Sequence, residues 1–166
     1  MFEMKRITKA GIATALQKAE RYRLLNEPSA AESICLDVLA VEPDNQAALV
    51  QLALARSDQF AEELSGAVER AREPLALVED PYKRAYYNGI VCERRAKAYL
   101  HATVPGGAPI AYDWLRRAMD FYEEAERLRP EGHDEALLRW NTCARSIERH
   151  HLTPVEQEAF EPVLGE

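Results

Sequence analysis

The run Ala31-Glu32-Ser33-Ile34-Cys35-Leu36-Asp37-Val38-Leu39-Ala40-Val41-Glu42-Pro43 has a counterpart in Ala118-Met119-Asp120-Phe121-Tyr122-Glu123-Glu124-Ala125-Glu126-Arg127-Leu128-Arg129-Pro130. Aligned, both follow A-x3-[large]-x2-[small or apolar]-x4-P: Ala31, Cys35, Val38 and Pro43 against Ala118, Tyr122, Ala125 and Pro130. Steps of four and three place the first three positions on one helix face. The proline, which costs about 3 kcal/mol inside a helix, stops the helix. Working back from Pro43, Ala19 falls where a small residue lets a preceding helix come close, and Tyr22 fills the gap beside it.

Outward from these segments the apolar period is helical almost everywhere, and no segment alternates strictly between apolar and polar. The first helix carries Ile12, Ala15, Leu16, Ala19 and Tyr22 and ends at Asn26-Glu27-Pro28-Ser29, with Pro28 suited to the first turn of the second. A third helix is predicted over about 46–57. A fourth, over about 60–73, carries Phe60, Leu64, Ala67, Val68 and Ala71 and is ended or kinked by Pro74. A fifth, about 82–102, follows Asp80-Pro81, and Val104 to Pro109 read as a loop. A sixth runs from about 110 to 129 and a seventh from about 134 to 149. The tail 150–166 holds a possible short helix around 154–160, capped by Thr153.

The chain has 166 residues, enough for one domain with a real core, and 1–149 read as that domain. No apolar run reaches the roughly 20 residues of a membrane span. Met1 to Arg6 lack the apolar stretch of a secretory signal, so a cytoplasmic protein is expected. A net charge of −7 argues against nucleic acid as partner. Cys35, Cys92 and Cys143 are odd in number and widely spaced, which fits a reducing compartment and buried thiols better than a disulfide framework.

With its helix pairs and its two A-x3-large-x2-small-x4-P segments, the chain resembles the tetratricopeptide repeat (TPR) family, whose unit is a helix–turn–helix of about 34 residues. On that register the repeats cover about 12–45, 46–79 and 82–132, with a capping helix at 134–149. The first has Ala15 in place of the family's usual Trp. The second is degenerate, with Ser65, Glu69 and Arg72 at signature positions. The third spaces Ala96 and Ala118 by 22 residues where the first spaces Ala19 and Ala31 by 12, and the Pro-Gly-Gly loop accounts for the insertion. The other reading is a generic helical bundle in which the pattern recurs by chance.

The resemblance implies an all-α, right-handed superhelix with a concave surface that binds a protein or peptide, without catalysis. Its concave positions would be Leu16, Glu20, Arg23 and Leu24, then Val50, Leu54 and Ser57, then Glu93, Lys97, Leu100 and His101. The family's clamp for chaperone tails is not expected here, because Leu16, Glu20 and Gln51 stand where Lys, Asn and Asn belong. Residues 81–117 carry a local charge of +5, from Lys83, Arg84, Arg94, Arg95, Lys97, Arg116 and Arg117 against Glu93 and Asp113. This basic stretch is either a site for an acidic partner or is paired internally. The alternative function is self-association, a homodimer whose groove is filled by a second copy.

No chemistry-bearing motif accompanies the helices. His101, His133, His150 and His151 lack His-Glu-x-x-His spacing, and adjacent His150 and His151 point apart on a helix, so neither a metal nor another cofactor is expected. Gly106-Gly107 lacks the lysine of a phosphate loop, and Ser33, Ser65 and Ser146 sit in helices without a nearby histidine. Trp114 and Trp140 read as packing residues, and the chain as a whole does not read as an enzyme.

Overall fold

The computed structural model describes residues 2–61, 66–102 and 105–155, which hold seven α-helices and no strand. They are α1 (Ile12–Leu24), α2 (Pro28–Leu39), α3 (Gln46–Ser57), α4 (Ala67–Arg72), α5 (Pro81–His101), α6 (Gly107–Leu128) and α7 (Glu135–Arg149). None of the described helices is long and apolar enough to cross a membrane.

Local chemistry sets most of the boundaries. α1 ends on Asn26 with a left-handed φ of 60°, where the Glu27 N–H reaches the Tyr22 carbonyl and the Asn26 N–H that of Arg23. Pro28 opens α2 at its first turn, where the missing N–H costs nothing. Asn45 Oδ1 accepts from the Ala48 N–H at 2.9 Å to cap α3, and Asp80 Oδ1 accepts from Tyr82 and Lys83 to cap α5.

Two expected boundaries differ. The continuous fourth helix over 60–73 does not form: a turn follows α3, Gly66 takes a left-handed φ of 70°, α4 runs for only Ala67–Arg72, and a 3-10 stretch Glu73–Leu77 follows around Pro74. Phe60, Ala67, Val68 and Ala71 are nevertheless buried, while Leu64 and Ser65 lie outside the described residues. The loop expected through Pro109 is shorter, because α6 already begins at Gly107. Pro109 sits in the first turn of that helix, where its absent N–H has no intrahelical acceptor to miss. Residues 152–155 are not helical, and most of the helix expected near 154–160 lies outside the described residues.

Consecutive helices pack as neighbours, and α3 also touches α1 and α5. Ala19 and Ala31 are fully buried in the α1–α2 cluster with Cys35, Leu52 and Ala55. The most extensive helix pair is α5 with α6. Here Ala96, Ala118, Tyr122 and Ala125 are fully buried, and Gly89 admits the Tyr122 ring: a Cβ at Gly89 would lie 2.5 Å from Tyr122 Cε1. α7 covers α6 with Ala136 and Cys143. Beyond its end, His151 at φ 50° turns the chain so that Leu152 folds back into the same cluster.

Candidate functional site

α1, α3 and α5 lie side by side around a groove of about 470 Å³. Its apolar wall is built by Val50 and Leu54, one turn apart on α3, and by Tyr87 of α5, all partly buried. Glu20 and Arg23 line it from α1 and Lys83 from α5. Between Val50 and Leu54, Gln51 turns the same way, and its Oε1 is buried without a hydrogen-bond partner. The Tyr87 hydroxyl is held above its ordinary pKa by burial, with the neighbouring Tyr86 and the Glu135 carboxylate adding to the effect, so it stays neutral.

One end of the groove is closed by an ion triad. Asp58, at the C-cap of α3, takes Arg23 Nε on Oδ2 and Arg94 Nη1 on Oδ1, both at 2.7 Å. Arg94 Nη1 also donates to Ser57 Oγ at 2.7 Å and the Leu54 carbonyl at 3.0 Å, which ties α5 to the last turn of α3. Burial, only partly offset by Asp58, together with the like charges of Arg23 and Arg139 lowers the Arg94 pKa from its usual value.

A second triad adjoins the first through α5. Glu93 is 2% exposed. Its Oε1 accepts from Lys97 Nζ at 2.6 Å and Arg139 Nη1 at 3.3 Å, and its Oε2 accepts from the Tyr122 hydroxyl at 2.7 Å. Burial and the Glu93 charge raise the Tyr122 pKa far above normal, so this hydroxyl remains a donor. Burial disfavours the charge on Arg139, but Glu93 and a hydrogen bond with Tyr86 outweigh it and raise the Arg139 pKa.

Of the residues expected on a concave face, Glu20, Arg23, Val50 and Leu54 meet in the groove. Ser57, Lys97 and His101 meet Asp58 and Arg94 in a smaller cleft of about 210 Å³ beyond the triad. Leu16 packs into the cluster of Ile12, Val38 and Ala48, and Leu100 packs against the α5–α6 core. Leu24 is 82% exposed and lines neither cleft. The seven basic residues of 81–117 do not share one surface. Lys83 faces the groove, and Arg94 and Lys97 face the smaller cleft. Arg84 donates to the Val78 carbonyl, and Arg95 is buried over the rings of Phe60 and Tyr99. On α6, Arg116 reaches Met119 Sδ at 3.7 Å and Arg117 lies over Trp114.

Sequence reasoning did not single out Asp58, Tyr87 or Arg139. Asp58 was recognisable as the residue closing the third helix, one position past Ser57, whereas nothing in the spacing brings Arg139 of α7 to Glu93 of α5. Among the described residues no three His, Cys, Asp or Glu side chains gather in a way that could hold a metal ion. No family model matches the chain, and no curated protein matches it.

Proposed function

We propose that this chain is a non-catalytic adaptor, a TPR-like right-handed superhelix that holds an extended segment of a partner protein in the groove between α1, α3 and α5. The repeated segments support the superhelical reading. Ala19 with Ala31 and Ala96 with Ala118 are all fully buried, as close helix approach in each pair requires. α1, α3 and α5 also follow one another through direct packing, which a stacked array of hairpins demands.

The observation that carries the binding function is Gln51. A buried acceptor without a partner costs about 1–3 kcal/mol, and here it lies in the wall of an open groove between two apolar side chains. Turned outward into the groove, that oxygen would accept from a peptide backbone N–H, while apolar side chains cover Val50, Leu54 and Tyr87. Affinity would come from that apolar wall, since exposed charge pairs add only about 0.2–1 kcal/mol each.

The test is Gln51→Leu, which removes the orphan acceptor. Free protein should keep or raise its Tm, while peptides selected from a displayed library should bind about fivefold to tenfold more weakly, the loss of one hydrogen bond. If the selected peptides bind the variant as tightly as the parent, or if no peptide can be selected, the groove is not a peptide site. Light scattering over a concentration series reads the homodimer alternative, and a stable dimer dispersed by Gln51→Leu would replace the adaptor with self-association.

A further inference from the structure

Two carboxylates beyond the groove are each shared between two cations. Asp58 serves Arg23 and Arg94, and Glu93 serves Lys97 and Arg139, so each triad carries one positive charge more than it neutralises. Arg94 and Lys97 line one cleft, and the charges of Glu93 and Arg139 reach Arg94, which makes the two surpluses neighbours. Both oxygens of each carboxylate are already engaged: Asp58 holds an arginine on each, and the second Glu93 oxygen accepts from Tyr122. Donors do remain. Arg94 makes its bonds to described residues through Nη1 alone, and its side chain is 27% exposed; Lys97 is 46% exposed and Arg139 41%. Two further acids share these clefts, Glu20, which lines the groove with Arg23, and Glu135, beside Arg139 in a shallow cleft on α7; both are exposed and neither forms an ion pair with these cations among the described residues.

We propose that the double triad docks acidic side chains of the bound segment, so that the partner selected by this groove is an acidic peptide with carboxylates directed at Arg94, Lys97 and Arg139. This rests on the groove being a peptide site. Two single surplus charges, held in separate triads, match two carboxylates in succession better than one doubly charged phosphate. Partly exposed charges of this kind steer association and set register, while the apolar wall supplies affinity.

The test uses the full chain and a fluorescein-labelled peptide of alternating Leu and Glu, with Gln, Lys and phosphoserine counterparts. Lys97→Gln removes one surplus charge yet leaves Glu93 paired with Arg139 and Tyr122, so the fold is retained; Arg145→Gln, exposed on α7, makes the same net change elsewhere. The Glu peptide should bind at least tenfold more tightly than the Gln peptide at low salt, lose about twofold to fivefold in Lys97→Gln and lose nothing in Arg145→Gln. Equal binding of Glu and Gln peptides, equal losses in the two variants, or tighter binding of the phosphoserine peptide overturns the assignment. If the Gln or Lys peptide binds best and Gln51→Leu weakens it, the acidic partner falls and the groove stands. If no peptide binds, both fall.

Discussion

Gly89 marks a close approach of α5 to α6. Glycine in a helix costs roughly 0.5–1 kcal/mol against alanine, so at an open site Gly→Ala would stabilise. Here the added methyl would stand 2.5 Å from the Tyr122 ring, and the ring is pinned by its hydroxyl bond to Glu93. Gly89→Ala should therefore destabilise by about 1–3 kcal/mol, the usual result of overpacking, read as a lower urea midpoint with an unchanged m value. A gain in stability would mean that Tyr122 can shift freely. None of this is visible in the sequence, where Gly89 is only a weak helix former in an amphipathic run. Glu93 was equally hidden: the TPR-like register puts it on a concave face, yet Tyr122 and Arg139, 29 and 46 positions away, enclose it.

At the scale of elements, Glu32 of α2 binds the next two helices. It accepts from Arg56 at 2.9 Å and Gln59 at 2.8 Å, with Arg70 of α4 at 3.4 Å. Burial works to raise its pKa, but the bonds from Gln59 and Arg56 and the charges of Arg56 and Arg70 outweigh it and hold the carboxyl below its ordinary value. A depressed folded pKa gives stability that is present above the unfolded value near 4.3 and is lost as pH falls through the folded one. Thermal unfolding between pH 6 and pH 3 should show Glu32→Gln about 1 kcal/mol less stable than the parent at the upper end, with the gap closing toward pH 3. A constant gap across that range would show that the carboxylate charge plays no part. Elements themselves were legible wherever a boundary is local chemistry, as at Pro28, Asn45 and Asp80. They were not where a backbone choice decides, as at Gly66, whose left-handed turn shortens α4, or at Pro109, which a helix accepts only in its first turn.

For the whole molecule, the helix pairs are unequal. α5 and α6 share the most extensive packing and enclose the Glu93 network, whereas α1 and α2 form an end of the succession and touch little beyond each other and α3. In an assembly stabilised between neighbours, openings start at the weaker end. Hydrogen exchange should thus be slowest in the middle of α5 and α6 and fastest in α1, and uniform protection from α1 to α6 would mean that the chain opens as one unit. The repeat pattern predicts that succession of neighbours but not which side chains from separate helices converge, which is why the parts played by Asp58, Tyr87 and Arg139 came only with coordinates. The three cysteines carry a practical corollary. All are buried, and burial pushes their thiols up to about 11 for Cys35 and Cys92 and about 12 for Cys143. With native sulfur shielded from maleimide reagents, one cysteine placed on α1 and another on α5 would be the only labelling points, and a donor–acceptor dye pair there would report the width of the groove directly.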